Sequence, residues 1–522
     1  MLGNVMFMTG FVGFFMMFGA LFFRKETKEE TAETDENHLE SLIKETLVML
    51  NDISKNAPVK GKTSDTEVHT AVEQAIRTCS DGQKGARDVV KSVIYEWLIN
   101  EKKPDYDFLN EIFESPENTR IRFEAILFLA EKDSEGTGFK KLWDSRFKDI
   151  ALCVGELNGS YIDDAYSGVC KSISYNDRLM ILTNVLYADS VGLGTIDSVM
   201  WQKKCVEEIQ IGMSGAVKEN YDYKNACLLD TEKNNKKYSY ESVHVMISGN
   251  PIKMDFLGMK NEDELIRITR NLIKNAGAGE LTRKNPRIVC ETPDGRRITV
   301  TRPPFSDSWA ALIRKFDTVS VTTVDMLTDD VKLKSLIREL ISTRKSIAIT
   351  GETASGKTTW LRALLLESGK DKSIRVIESE SFELNLREYL PHANVLTLRV
   401  SDNDKASGVL GFSKKTTGQV FAVGEVNTPD MAVTLVDISH TAERIFFTAH
   451  YTDTRDMVSD FTGALLNFGG YSDERLAKEE ATAALGVDIH LRRKDGRRYV
   501  ERISEVMSDG SIRCLYGIQK KN

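Results

Sequence analysis

Residues 346–367 read Ser-Ile-Ala-Ile-Thr-Gly-Glu-Thr-Ala-Ser-Gly-Lys-Thr-Thr-Trp-Leu-Arg-Ala-Leu-Leu-Leu-Glu. Within them, Gly351 to Thr358 fits G-x-x-x-x-G-K-[ST] letter for letter. Ile347, Ala348 and Ile349 predict a short buried strand, and the residues from Thr359 onward predict an amphipathic helix. A strand, a glycine-rich turn and a helix in that order make a cradle for phosphate. Gly351 and Gly356 let the backbone curl close to a ligand and aim N–H groups at it, and the helix N-terminus adds partial positive charge. The predicted nucleotide contacts are Gly351, Glu352, Thr353, Ala354, Ser355, Gly356, Lys357, Thr358 and Thr359. Lys357 is placed to reach the β- and γ-phosphates of ATP, and Thr358 offers a hydroxyl to Mg2+.

Bulk properties narrow the rest. A chain of 522 residues has room for about three domains. A net charge of −8 argues against a globally basic nucleic-acid binder. The seven cysteines are odd in number, scattered, and contain no C-x-x-C, which points to a reducing compartment and away from zinc ribbons and disulfide frameworks.

Residues 2–23 carry no charge, and Arg24 and Lys25 follow at once. That length spans a bilayer as a helix, and the flanking charges place everything after Arg24 in the cytoplasm. The expectation is a single-pass anchor in the cytoplasmic membrane over 1–25, then a Glu/Thr/Lys-rich linker from 26 to 37. Residues 38–165 show apolar spacing of three and four, broken by a loop over 56–66, and predict a small helical domain without chemistry. Residues 170–325 predict an α+β domain. Its strands include Val206–Met213, Cys227–Asp230, Val243–Ser248 and Ala310–Phe316, with a hairpin turning at Asp294-Gly295. From 326 to 522, strands alternate with helical stretches. That pattern predicts a parallel sheet with helices on both faces, so polar residues at strand C-termini converge on the ligand.

Three strand ends supply candidates. Glu425 follows Val420–Val423 and can orient water or ligate Mg2+. Glu380 or Glu383 follows Arg375–Glu378, and His450 follows Ile445–Thr448. His440 and His450 lie ten residues apart, where a hydrogen-bonding or phosphate-sensing role beside Glu425 fits better than metal ligation.

Over residues 175–510 the chain resembles the ATPases of type II and type IV secretion, pilus assembly and conjugation, closest to the branch lacking a zinc tetracysteine. The resemblance is carried by Thr292-Pro293-Asp294-Gly295-Arg296-Arg297, Pro303-Pro304, Ile313-Arg314-Lys315-Phe316, Val423-Gly424-Glu425-Val426, Ser439-His440 and Thr448-Ala449-His450. It implies a RecA-like motor domain behind an α+β N-terminal domain. It also implies a homo-hexamer working on an integral-membrane platform protein. Its catalytic set would be Glu425, Glu380, Lys357 and His450, with Arg297 and Arg314 delivered from the N-terminal domain and Arg296 and Arg302 ranked behind them. The helical domain has no counterpart in that family, and a membrane span is unusual for it.

The departures matter too. Ala354 stands where the family has glycine, the acidic box keeps only part of its pattern, and Asn427-Thr428 replace Arg-Gly. Arg444 is the nearest substitute for that arginine. The expectation is therefore a divergent, slow ATPase, with a nucleotide-binding scaffold subunit as the alternative.

Overall fold

The computed structural model describes residues 38–55, 63–80, 83–132, 136–217, 238–247, 249–275, 277, 279–315, 323–369, 371–379, 382–401, 404–494 and 497–517. The expected anchor over 1–25, the linker to residue 37, the strand at Cys227–Asp230 and the candidate Glu380 lie outside them. No helix among the described residues is long and apolar enough to cross a membrane.

The chain forms two compact units, Met1–Lys315 and Phe316–Asn522. In the first, nine helices and short turns among the described residues between His38 and Ser190 lead into a sheet of seven described strands. Its strands are β1 (Glu156–Leu157), β2 (Val206–Ile211), β3 (Val243–Ile247), β4 (Asn250–Met254), β5 (Arg287–Glu291), β6 (Arg297–Thr301) and β7 (Ala310–Arg314). They run in the order β1-β4-β3-β2-β7-β6-β5. All pairs are antiparallel except β1 with β4. The expected loop over 56–66 ends early, because a helix runs Thr63–Thr78.

No packing break falls at 165–170. The helical segment contributes β1 to the sheet edge, and one apolar core runs continuously from Leu39 to Ile313. Phe123, fully buried on the helix Thr119–Glu131, stands 6.0 Å from the ring of Phe139 and 5.0 Å from that of Phe256, just after β4. Arg120 donates to Asp189 at 2.6 Å and to the Gly194 carbonyl at 3.0 Å. The helices and the sheet thus share one core.

The second unit carries eight strands: β8 (Ile347–Gly351), β9 (Ser373–Ser379), β10 (Asn394–Val400), β11 (Val420–Val426), β12 (Arg444–Ala449), β13 (Val487–Lys494), β14 (Arg497–Val506) and β15 (Ile512–Gly517). Their order is β10-β9-β11-β12-β8-β13-β14-β15, and every neighbour pair from β10 to β13 is parallel. β13, β14 and β15 then fold back as an antiparallel edge.

Strand side chains alternate between two cores. Ile347, Ile349, Val376, Ala422 and Phe446 pack with the helices Val331–Ser342 and Lys357–Ser368. Ala348, Ile377, Val423 and Phe447 pack with Pro429–Ser439, Thr454–Phe468 and Glu474–Leu485. Both sheet faces are covered, which explains why these strands read as unbroken apolar runs. β10, β15 and the helix Thr454–Phe468 carry weaker sequence patterns and were not among the expected elements.

Truncating Phe123 to Ala removes a ring that joins the helical layer to the sheet. Its expected cost is about 3–5 kcal/mol in urea unfolding of the first unit, measured by tryptophan fluorescence. A loss below about 1 kcal/mol would mean that the two layers do not share a core.

Candidate nucleotide site

The phosphate loop leaves the sheet between two neighbours. β8 is flanked by β12 and β13, with Gly351 opposite Leu491 and Thr350 opposite Ala449. Gly351 has φ 140°, and a Cβ there would stand 2.4 Å from the Leu491 carbonyl oxygen. No side chain fits that approach. Gly356, at φ 97°, caps the helix Lys357–Ser368 in a left-handed conformation. Ala354 has φ 62°, so the alanine that replaces the family's glycine does sit in the left-handed region, at a cost of about 1 kcal/mol.

Beneath the loop, Thr350 donates to Asp488 at 2.6 Å and bonds the His490 ring at 2.9 Å. Thr454 donates to the other Asp488 oxygen, also at 2.6 Å. Asp488 is fully buried, and burial raises its pKa against the two hydroxyl bonds. This polar knot ties β8, β13 and the helix Thr454–Phe468 together under the loop.

Lys357 is buried, and its ammonium donates to the carbonyls of Gly351 at 3.0 Å and Glu352 at 2.9 Å. Its third contact is His450 Nδ1 at 3.4 Å. The opposite ring nitrogen, Nε2, stands 2.9 Å from Glu425 Oε1. One neutral tautomer satisfies both sides: Nε2–H donates to the carboxylate, while Nδ1 accepts from the ammonium. Burial and the Lys357 charge lower the His450 pKa, opposed by Glu425, which keeps the ring neutral at pH 7. Burial likewise lowers Lys357 to about 8, against the pull of Glu425, Glu383 and Glu352.

Lys357, His450 and Glu425 therefore meet at the C-terminal ends of parallel strands, as the alternation of elements predicts. Glu425 is the sixth residue of β11 rather than a residue beyond it, and it is half-buried. Thr448 holds the same turn by donating to the Gly424 carbonyl at 2.5 Å.

The acidic box is organised by two residues. Arg362, on the loop's own helix, donates to the carbonyls of Glu383 and Leu384 at 2.9 and 3.0 Å. Glu378 is buried at the end of β9, and its Oε1 accepts from Leu384 N at 2.8 Å. Gly424 makes room for it, since a Cβ there would lie 3.0 Å from Glu378 Cγ. Burial pushes the Glu378 carboxyl up to about 8. Glu383 lies near enough to raise the Lys357 pKa, while Glu378 is a buried prop at the end of its strand.

Other expected contributors sit elsewhere. Arg444 opens β12 at its N-terminal end, the edge opposite the loop, and donates to the Thr343 carbonyl. With Arg344 and Lys345 it lines a cavity of about 410 Å³ where the helix Val331–Ser342 ends, as cations answering a helix C-terminus do. It cannot stand in at the loop. His440, exposed at the end of the helix Pro429–Ser439, bonds Glu480 at 2.9 Å and does not join His450. Asn427-Thr428 has a structural role: Thr428 accepts from Met431 N at 3.3 Å and Pro429 begins the helix.

In the first unit, Arg297 and Arg314 are cross-strand partners in one rung of the sheet, Glu208-Arg314-Arg297-Glu291. Arg314 Nε is 3.2 Å from Glu208. Arg296 lies over the Trp201 ring and bonds Asp294 at 2.8 Å, and Arg302 lies over Trp309. These last two are anchored by packing.

No protein-family model and no curated protein matches the chain. Solved structures similar to it are secretion and pilus ATPases. The VirB11 ATPase from the Brucella suis type IV secretion system, in complex with sulphate, is 15% identical with a TM-score of 0.30, over 58% of this chain and 90% of that one. The Legionella pneumophila ATPase DotB is 13% identical with a TM-score of 0.38, over 57% and 75%. The pilus retraction motor PilT with bound ADP is 15% identical with a TM-score of 0.37, over 60% and 80%. At such scores the likeness carries no argument of its own, and the chemistry has to come from the residues.

Glu378 gives a pH test. Unfolded, it titrates near 4.5; folded, near 8. The folded state keeps a proton that the unfolded state releases, so stability falls as pH rises through that window. Glu378→Gln mimics the protonated acid. Compared with the original chain, it should gain stability in urea between pH 5 and pH 8. An equal gap at both pH values would mean that the carboxyl is ionised in the fold.

Proposed function

We propose that the chain binds ATP with Mg2+ at the phosphate loop and hydrolyses it, as the motor subunit of a secretion- or pilus-type machine at the cytoplasmic membrane. The observation that carries this reading is the chain of contacts Lys357–His450–Glu425 at the C-terminal edge of a parallel sheet. A cation, a neutral relay and a carboxylate stand in line beside a glycine-cornered loop.

The loop's own groups account for binding. The first turn of the helix Lys357–Ser368 has N–H groups without helical acceptors, directed at whatever the loop holds. Lys357 spends its ammonium on two neutral carbonyls. A phosphate oxygen is the stronger acceptor, so the ammonium moves to it.

The Thr358 hydroxyl and Glu425 carboxylate are hard oxygen donors that suit Mg2+. Its contribution would be to neutralise charge on the phosphates.

Glu425 then orients the attacking water. His450, which touches both Lys357 and Glu425, reports phosphate occupancy to the carboxylate. Glu383 and Glu380 supply further negative charge beside the water. Arg297 and Arg314 are the arginines proposed to approach the phosphates, which requires leaving the Glu208–Glu291 rung. A homo-hexamer, a membrane platform partner and a tether through residues 2–23 complete the proposal.

Steady-state phosphate release by the full chain in detergent tests it. Lys357→Ala should abolish nucleotide binding. Glu425→Gln should bind nucleotide yet turn over about a hundredfold slower or worse. Turnover by Glu425→Gln at the original rate would refute its role. Binding without turnover in the original chain would leave the scaffold alternative.

A further inference from the structure

One buried carboxylate bonds the segments on both sides of the Lys357–His450 contact. Asp488, on β13, is fully buried. Its Oδ1 accepts from Thr350, the residue before Gly351, at 2.6 Å. Its Oδ2 accepts from Thr454, just past His450 in the chain, also at 2.6 Å. Both distances are those of a hydroxyl donating to an ionised acceptor. Thr350 is completely buried and Thr454 nearly so, so bulk water does not compete for either bond.

His450 sits in a short connection. β12 ends at Ala449, and the next helix begins at Thr454. At one end of this connection, Ala449 is opposite Thr350 in the pairing of β12 with β8. At the other end, Thr454 is held by Asp488. Between them, Arg502 of β14 donates to the Thr452 carbonyl at 2.8 Å. The β13–β14 hairpin holds the phosphate loop as well, because Arg498 Nε donates to the Ala354 carbonyl at 2.9 Å. One hairpin is thus the common reference for both segments, and Asp488 bonds each of them.

The His450 ring has two contacts to keep. One nitrogen stands 3.4 Å from Lys357 Nζ and the other 2.9 Å from Glu425 Oε1. The side chain is 43% exposed, so packing around the ring leaves it room to move. Its place is set by the backbone that carries it. A misplacement of about 1 Å can cost a hundredfold in rate.

We infer that Asp488 is a positioning residue of this site, which sets His450 against Lys357 and Glu425 through its bond to Thr454. The inference rests on the proposal that the loop binds MgATP and that His450 and Glu425 serve its hydrolysis. Asp488 itself is sealed beneath the loop and touches no nucleotide. It acts by fixing where the His450 connection ends.

Asp488→Ala would strand two buried hydroxyls and endanger the fold, so the test cuts the Thr454 bond alone. Thr454→Val, Thr454→Ser, His450→Asn and the double variant Thr454→Val with His450→Asn are compared in the full chain in detergent. Phosphate release gives kcat, and calorimetric titration gives MgATP affinity. Thr454→Val should lower kcat roughly tenfold and leave MgATP affinity within about twofold. Thr454→Ser keeps the hydroxyl and should restore turnover. With His450→Asn already present, Thr454→Val should cost nothing further, because the ring it acts through is gone. A merely structural bond predicts otherwise: kcat and affinity fall together with melting temperature, by the same factor with or without His450. That result, or an unaltered kcat in Thr454→Val, overturns the inference. If the original chain binds MgATP without turning it over, the motor reading fails and takes this inference with it. If the original chain turns over and Thr454→Val matches it, only the role of Asp488 fails.

Discussion

Everything at this site depends on how closely two backbones approach. A Cβ on Gly351 would come within 2.4 Å of the Leu491 carbonyl, so the loop can turn out of β8 only while β13 lies flush against it. That contact fixes the parallel register of β8 and β13, and the Thr350–Asp488–Thr454 knot pins it from below. With the register set, the remaining geometry follows. β12 delivers His450 to one side of the loop and the β13–β14 hairpin delivers Arg498 to the other.

The Lys357 ammonium rests on loop carbonyls, and a neutral histidine separates it from Glu425. Burial holds Lys357 to about 8, because a desolvated ammonium is costly and neutral carbonyls only partly offset that cost. On the other flank, burial keeps Glu378 protonated up to about pH 8, so it acts as a hydrogen-bonded prop rather than a charge.

Much of the second unit was legible in the sequence because its signals are local. The G-x-x-x-x-G-K-[ST] run, the apolar strands and the residues that follow them predict the parallel sheet, the loop, Glu425 and His450, and the structure brings them together. The rest was set by register, which no local pattern encodes. Arg498 is distant in sequence from the loop and reaches Ala354 only because Leu491 faces Gly351. Arg444 is the substitute the sequence offers for the arginine missing at Asn427-Thr428, but it begins its strand and so falls at the opposite edge. Arg362 anchors the Glu383 backbone through a contact across 21 residues. In the first unit, helical periodicity suggested a free-standing domain. Yet the helices and the sheet share one apolar core, which only three-dimensional packing reveals.

The central claim is that the Lys357 ammonium exchanges loop carbonyls for phosphate oxygens. Calorimetric titration with MgATP at pH 8, in two buffers of different ionisation enthalpy, measures this directly. Lys357 is about half protonated there, and a phosphate partner would hold it fully charged, so binding should take up on the order of half a proton. The uptake should vanish in Lys357→Arg, which is charged throughout. Tight binding with no proton uptake in the original chain would contradict the account.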